Sequence, residues 1–220
     1  MISSSSIISS LHVIAASLKL PAIIVLLVFI VIVTVELGSI TVEIIFIRRK
    51  MKLNVGDLLA KIQDKNINQL QTIINDSGLL KSQKKVFMEL LKNADLSPFT
   101  GYALARKLLS NEEMRHHKIV SVTDVIVRLG PMIGLMATLI PLGPGLIALG
   151  QGDTRTLADS LLTAFDATVA GLATAGVAFV ISRLRKRWYE SDMLSIEVIM
   201  EGILEEIYKD ADEIKEQQSA

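Results

Sequence analysis

The groups most able to do chemistry in this chain are polar residues set inside apolar sequence. Asp166 stands in the run from Leu157 to Ser182, where few other residues carry charge. In a helix rising about 1.5 Å per residue, it lies roughly 13 Å beyond Leu157. A carboxylate at the centre of a bilayer costs about 2.5–3.5 kcal/mol even on insertion scales. Asp166 must therefore face a partner, water or a pore, or be protonated. It is then either part of an ion path or a buried acid bonded to Thr163 or to a neighbouring helix. In the same run Ala164, Thr168, Gly171, Ala175, Ala178 and Ser182 recur at spacings of three and four. They share one helical face, and small residues there let helices approach closely in lipid. Part of that face could also line a narrow pore, with Thr168 supplying a hydroxyl. Thr138 lies mid-way along a second apolar run, where a lone Thr ordinarily bonds to its own helix carbonyl one turn back.

Other candidates are weaker. Glu36 and Glu43 lie seven apart on one face of a first apolar run, Glu43 near its end in a solvated position and Glu36 deep enough to pair with a base. Asp124 and Arg128 are spaced for a helix ion pair. His12, His116 and His117 show no metal-ligand spacing. No Gly-rich phosphate loop, Ser-His-Asp set or zinc motif occurs, so no catalytic residue, metal or cofactor is expected.

Three apolar elements position these groups. The chain has 220 residues, half of them hydrophobic, and a net charge of zero. The charges gather in 48–118 and 183–220, unlike a soluble domain with charge on every helix. That balance gives no sign of nucleic acid. The absence of cysteine excludes a disulfide framework and thiolate metal sites. The fold expected is an all-α integral membrane protein with three transmembrane helices, at 18–47, 121–150 and 157–183. Each is long enough for a hydrocarbon core of about 30 Å. The first is no signal peptide: no basic segment precedes it, it is too long, and Arg48, Arg49, Lys50 and Lys52 follow it. The second carries Pro131, Pro141 and Pro144, which reads as a broken or kinked helix of a kind that lipid-embedded helices tolerate. Trp188 and Tyr189 sit beside the basic end of the third as interfacial anchors.

Residues 48–120 form a helical domain between the first two spans. Leu58, Ile62, Ile67, Leu70, Ile74, Phe87, Leu90 and Leu91 keep helical spacing, with breaks at 75–78 and at Ser97-Pro98. Residues 184–220 form a helical tail with Leu194, Val198, Ile199, Ile203, Leu204 and Ile207 on its apolar side. Residues 48–118 hold fourteen Lys and Arg, whereas the N-terminal tail holds only Lys19 and the 151–156 turn only Arg155. The positive-inside rule then places 48–120 and the tail in the cytoplasm, and the N-terminus and the 151–156 turn outside.

Two motifs add a resemblance. Gly130-Pro131-Met132-Ile133-Gly134-Leu135-Met136-Ala137-Thr138 is similar to the proline followed by Gly-Leu-Leu-Gly-Thr of the MotA/TolQ/ExbB proton channel family. Ala167-Thr168-Val169-Ala170-Gly171-Leu172 resembles that family's Ala-Thr-(any two)-Gly-Leu. The likeness covers about 115–205, and three spans with a loop of about seventy residues look like its TolQ/ExbB branch. It implies a homopentamer in the cell membrane around a single-span partner of ExbD, TolR or MotB type. Ion flow through that assembly would do mechanical work. It also implies that Thr138 and Thr168 face the pore. Ala137 replaces a family glycine, and Thr163 stands where that branch often has Glu. On that resemblance Asp166, one turn deeper on nearly the same face, stands in for that acid or marks a different ion, partner or gating. The rival classes are a membrane scaffold or signalling subunit without an ion path, a subunit of a solute transporter, and an intramembrane enzyme.

Overall fold

The structure is a computed structural model that describes Ser10, residues 13–48 and residues 55–219. Arg49, Lys50 and Lys52, expected to close the first span, and His12 lie outside the described residues. Among the described residues every element is helical. Helix α1 is Lys19–Val42 and runs into a π-helical turn, Glu43–Arg48. Three short helices follow: α2 Val55–Ile62, α3 Ile67–Asp76 and α4 Lys81–Lys92. Two long ones complete the chain, α5 Pro98–Gly150 and α6 Thr154–Ser219. Three helical segments, Val13–Ile45, Pro98–Gly150 and Thr154–Lys209, are long and apolar enough to cross a membrane.

The chain divides into two compact units. One comprises residues 1–41 and 120–184, the other 42–119 and 185–220. In the first, α1 presents Ala22, Leu26, Val33 and Ile40 to the interior. Most of its other large apolar residues are exposed, as suits a helix whose solvent is lipid. Three prolines do not break α5. The helix continues through Pro131, Pro141 and Pro144, against the expectation of a broken span. Each proline removes only one of the i to i−4 bonds, and the bonds on either side hold the helix.

Helix α5 ends where Gly152 takes a φ of 80°, a left-handed conformation open to glycine. The amide of Asp153 then reaches back to the carbonyl of Ala148 at 2.9 Å, in the manner of a glycine-closed helix end. Asp153 opens α6 at once, its carboxylate accepting the amide of Thr156 at 3.0 Å and the Thr156 hydroxyl. Those bonds hold the Asp153 carboxyl below its ordinary range.

The second unit has its own core. Leu58, Ile62, Leu70, Ile74, Phe87, Leu90 and Leu91 from α2–α4 pack with Ala105 and Leu108 of α5 and with Ile196, Ile199, Ile203, Leu204 and Ile207 of α6. Helix α3 stops at Asp76, and Ser77 turns its hydroxyl back to the carbonyl of Ile74. Pro98 starts α5, a position where the missing amide costs nothing. Two of the tail residues expected on the apolar side are exposed: Leu194 and Val198. Ile196 and Met200 are buried in their place. At 100° per residue this rotates the buried stripe away from where a count of apolar residues alone puts it.

Candidate functional site

The second and third spans meet backbone to backbone. A Cβ on Gly171 would stand 2.9 Å from the carbonyl oxygen of Gly130 and 2.9 Å from the Cα of Gly134. A Cβ on Gly130 would meet that of Ala175 at 3.2 Å, and one on Gly145 that of Ser160 at 2.9 Å. The pairs 130 with 175, 134 with 171 and 145 with 160 fix an antiparallel register. Gly171 and Ala175 of the small-residue stripe therefore meet α5, and Ala164, Ala178 and Ser182 are buried as well. Pro131 lies half-buried beside Gly130.

That register sets Thr138 and Thr168 at one level. Thr138 is buried and its hydroxyl donates to the carbonyl of Leu135 at 2.6 Å. Thr168 is half-buried and donates to Ala164 at 3.3 Å. Both hydroxyls thus spend their proton on their own helix and leave an oxygen lone pair for another donor.

Asp166 lies elsewhere on α6. It is exposed, about 200° around the helix from Thr168. Asp159 and Thr163 share its side and are also exposed. The Thr163 hydroxyl donates to the backbone carbonyl of Asp159 at 2.9 Å, so its proton is not given to Asp166. Within its own chain the Asp166 carboxyl is accessible, and the structure does not bring it together with Thr138 and Thr168.

Polar groups also join elements near the ends of the spans. Ser182 donates to the carboxylate of Asp124, the acid expected to pair with Arg128 one turn on. Arg185, in the basic run that ends the third span, is only 3% exposed. Its Nε lies 4.0 Å from Glu43, whose side chain is 19% exposed, so Glu43 is not the solvated residue expected from its place in the sequence. His116 stacks on Tyr189 with ring centroids 4.2 Å apart. Burial pushes its imidazole below the ordinary value, against the opposing pull of Glu112 and Asp192.

Sequence reasoning passed over Gly130 as a packing residue, although Gly130 and Gly134 are four apart and make a small-xxx-small pair. It also missed Arg185, for which an acid at the same end of the first span was the available signal.

No curated protein matches the chain. A sequence model described as the MotA/TolQ/ExbB proton channel family matches residues 79–198. The match includes both glycine-bearing segments that form the crossing, and both threonines at its level. Because it spans more than half of a chain with three membrane-crossing helices, this multi-pass membrane protein belongs to the MotA/TolQ/ExbB proton channel family.

Proposed function

We propose that the chain is the pore-forming subunit of a homo-oligomeric channel, a pentamer, for protons or another cation. It works with a single-span partner of ExbD, TolR or MotB type and turns the ion gradient into mechanical work. The ring stands in the cytoplasmic membrane with the N-terminus outside and the C-terminus inside, as the Lys and Arg asymmetry supports. Moving one charge across it releases about 2.3 kcal/mol per 100 mV.

The observation that carries this reading is the exposed carboxyl of Asp166. It stands about 13 Å from Leu157 and about 25 Å from Arg183 along α6, deep inside the span. A carboxyl group there has no hydrogen-bond partner in lipid, so its side is best satisfied by another subunit, a partner helix or water. Thr138 and Thr168 are the matching hydroxyls of the family motifs and the second element of the pathway.

Proton flux in proteoliposomes holding the chain with its co-purified single-span partner tests the reading. Asp166→Asn keeps shape and hydrogen bonding but cannot titrate, and is expected to abolish flux with assembly intact. Thr168→Val removes a hydroxyl at constant volume and is expected to reduce flux. Loss with Val but not with Asn would discard the role of Asp166 and keep the family mechanism. Normal flux in both would discard the pore assignment for this span. No flux in the unaltered complex would favour a scaffold.

A further inference from the structure

The exposed side of α6 in the second unit is acidic and carries apolar residues that the core does not use. Leu194 is 63% exposed and Val198 43%. Glu190, Glu197, Glu201 and Glu205 are exposed around them, and residues 188–208 contain no Lys or Arg. The exposed side of α5 in the same unit is the complement. Arg106 and Lys107 are exposed there, no acid occurs between Asp95 and Glu112, and Met114 is 54% exposed; the exposed acid beside it, Glu113, lies 3.8 Å from His117 on its own helix. Neither base is in an ion pair among the described residues.

We propose that these two sides dock on one another between copies: α6 of one chain, around Leu194 and Val198, against α5 of the next, from Arg106 to Met114. This deepens the ring reading and rests on it. Two features of the unit favour a second copy as the occupant. One is charge. The α6 side is uniformly acidic and repels itself, so it cannot form a two-fold contact with its own image. It needs exposed bases beside an apolar side chain, and α5 offers Arg106 and Lys107 about two turns before Met114. A contact between two different faces is heterologous, the kind that closes into a ring.

The other feature is height. In a cyclic assembly equivalent residues share one level along the axis. Within the chain, Gly101 lies against Tyr208 and His116 stacks on Tyr189. Between those two anchors the antiparallel register puts Glu201 level with Arg106 and Lys107, and Leu194 level with Met114, within a helical turn. A neighbour related by rotation alone thus brings acid to base and Leu194 to Met114 without any shift along the axis.

The full chain has no cysteine, which makes the contact directly testable. Leu194→Cys and Met114→Cys are placed in one chain, reconstituted in liposomes and oxidised with copper phenanthroline. The expected product is a ladder of disulfide-linked species ending at the ring size. An equal mixture of the two single variants is expected to give dimers and nothing larger, because each chain then carries one cysteine and can form only one disulfide. Efficient dimers from Leu194→Cys alone would mean a two-fold contact and would overturn the proposal. So would an absence of cross-links while native mass spectrometry shows the ring, an outcome that leaves the ring reading standing and gives the face to another occupant. A monomer by both measurements would remove both readings. As a second arm, Glu201→Lys should weaken association roughly two- to fivefold per seam, the range of exposed ion pairs. Adding Lys107→Glu should restore it, and failure to restore would overturn the pairing of these charges.

Discussion

Gly171→Ala is the sharpest probe of the crossing between the second and third spans. The new methyl carbon would lie 2.9 Å from the Gly130 carbonyl oxygen and 2.9 Å from the Gly134 Cα. Both are backbone atoms of a helix, so no side chain can rotate away, and the two helices must separate or shift. Forced insertion into a packed interface costs about 1–3 kcal/mol. The better helix propensity of Ala returns up to about 1 kcal/mol. With the full return subtracted, the net loss should be about 0–2 kcal/mol. Gly134→Ala meets its nearest atoms at 3.3 Å and should cost less. Gly38→Ala has nothing within 4 Å and should be neutral or slightly stabilising. Equilibrium unfolding in mixed SDS micelles, followed by circular dichroism, ranks the three. If Gly171→Ala proved as stable as Gly38→Ala, the backbone contact would not exist as described, and the level shared by Thr138 and Thr168 would lose its anchor.

Arg185→Met should destabilise the protein by stranding Glu43, and the double change with Glu43→Gln should recover part of the loss, since it leaves no lone buried charge. Additive losses in the same unfolding assay would mean that the two residues act separately. Burial lowers the His116 value in the folded chain, so the unfolded chain binds a proton first as the medium acidifies. Stability should therefore fall as pH drops from about 6.5 through that lowered value. Glu112 and Asp192 moderate the effect, while Arg115 and His117 add to it. His116→Phe keeps a ring against Tyr189 and should flatten this part of the pH profile; an unchanged slope would assign it to other groups. For orientation, single cysteines at position 10 and in 151–156 should react with impermeant reagents from outside, and those in 60–110 should not. The reverse pattern would invert the membrane topology.

The three spans were legible because their apolar runs are long and their flanks are charged. The core of α2–α4 was legible too, since Leu58, Ile62, Leu70 and Phe87 keep the spacing of one helical face. What the sequence hid depends on partners distant along the chain. Arg185 belongs to a run of four bases, and nothing local marks it as the one turned inward beside Glu43. The tail shows why a list of apolar residues is not a face: Leu194 and Val198 satisfy the pattern as well as Ile196 and Met200 do, and only the core decides between them. For Asp166, spacing gave its place along α6, but the side it occupies is set by how Gly171 seats against Gly130 and Gly134.

The turn at Gln151, Gly152 and Asp153 has a consequence for how the protein is made. With so few residues between them, α5 and α6 have almost no loop-closure entropy to overcome before their spans meet. The contact of Gly145 with Ser160 spans fewer residues than that of Gly134 with Gly171, so low loop-closure cost favours pairing that spreads outward from the turn. A short turn of this kind favours pairing of the second and third spans before either finds the first, which is separated from them by residues 48–120.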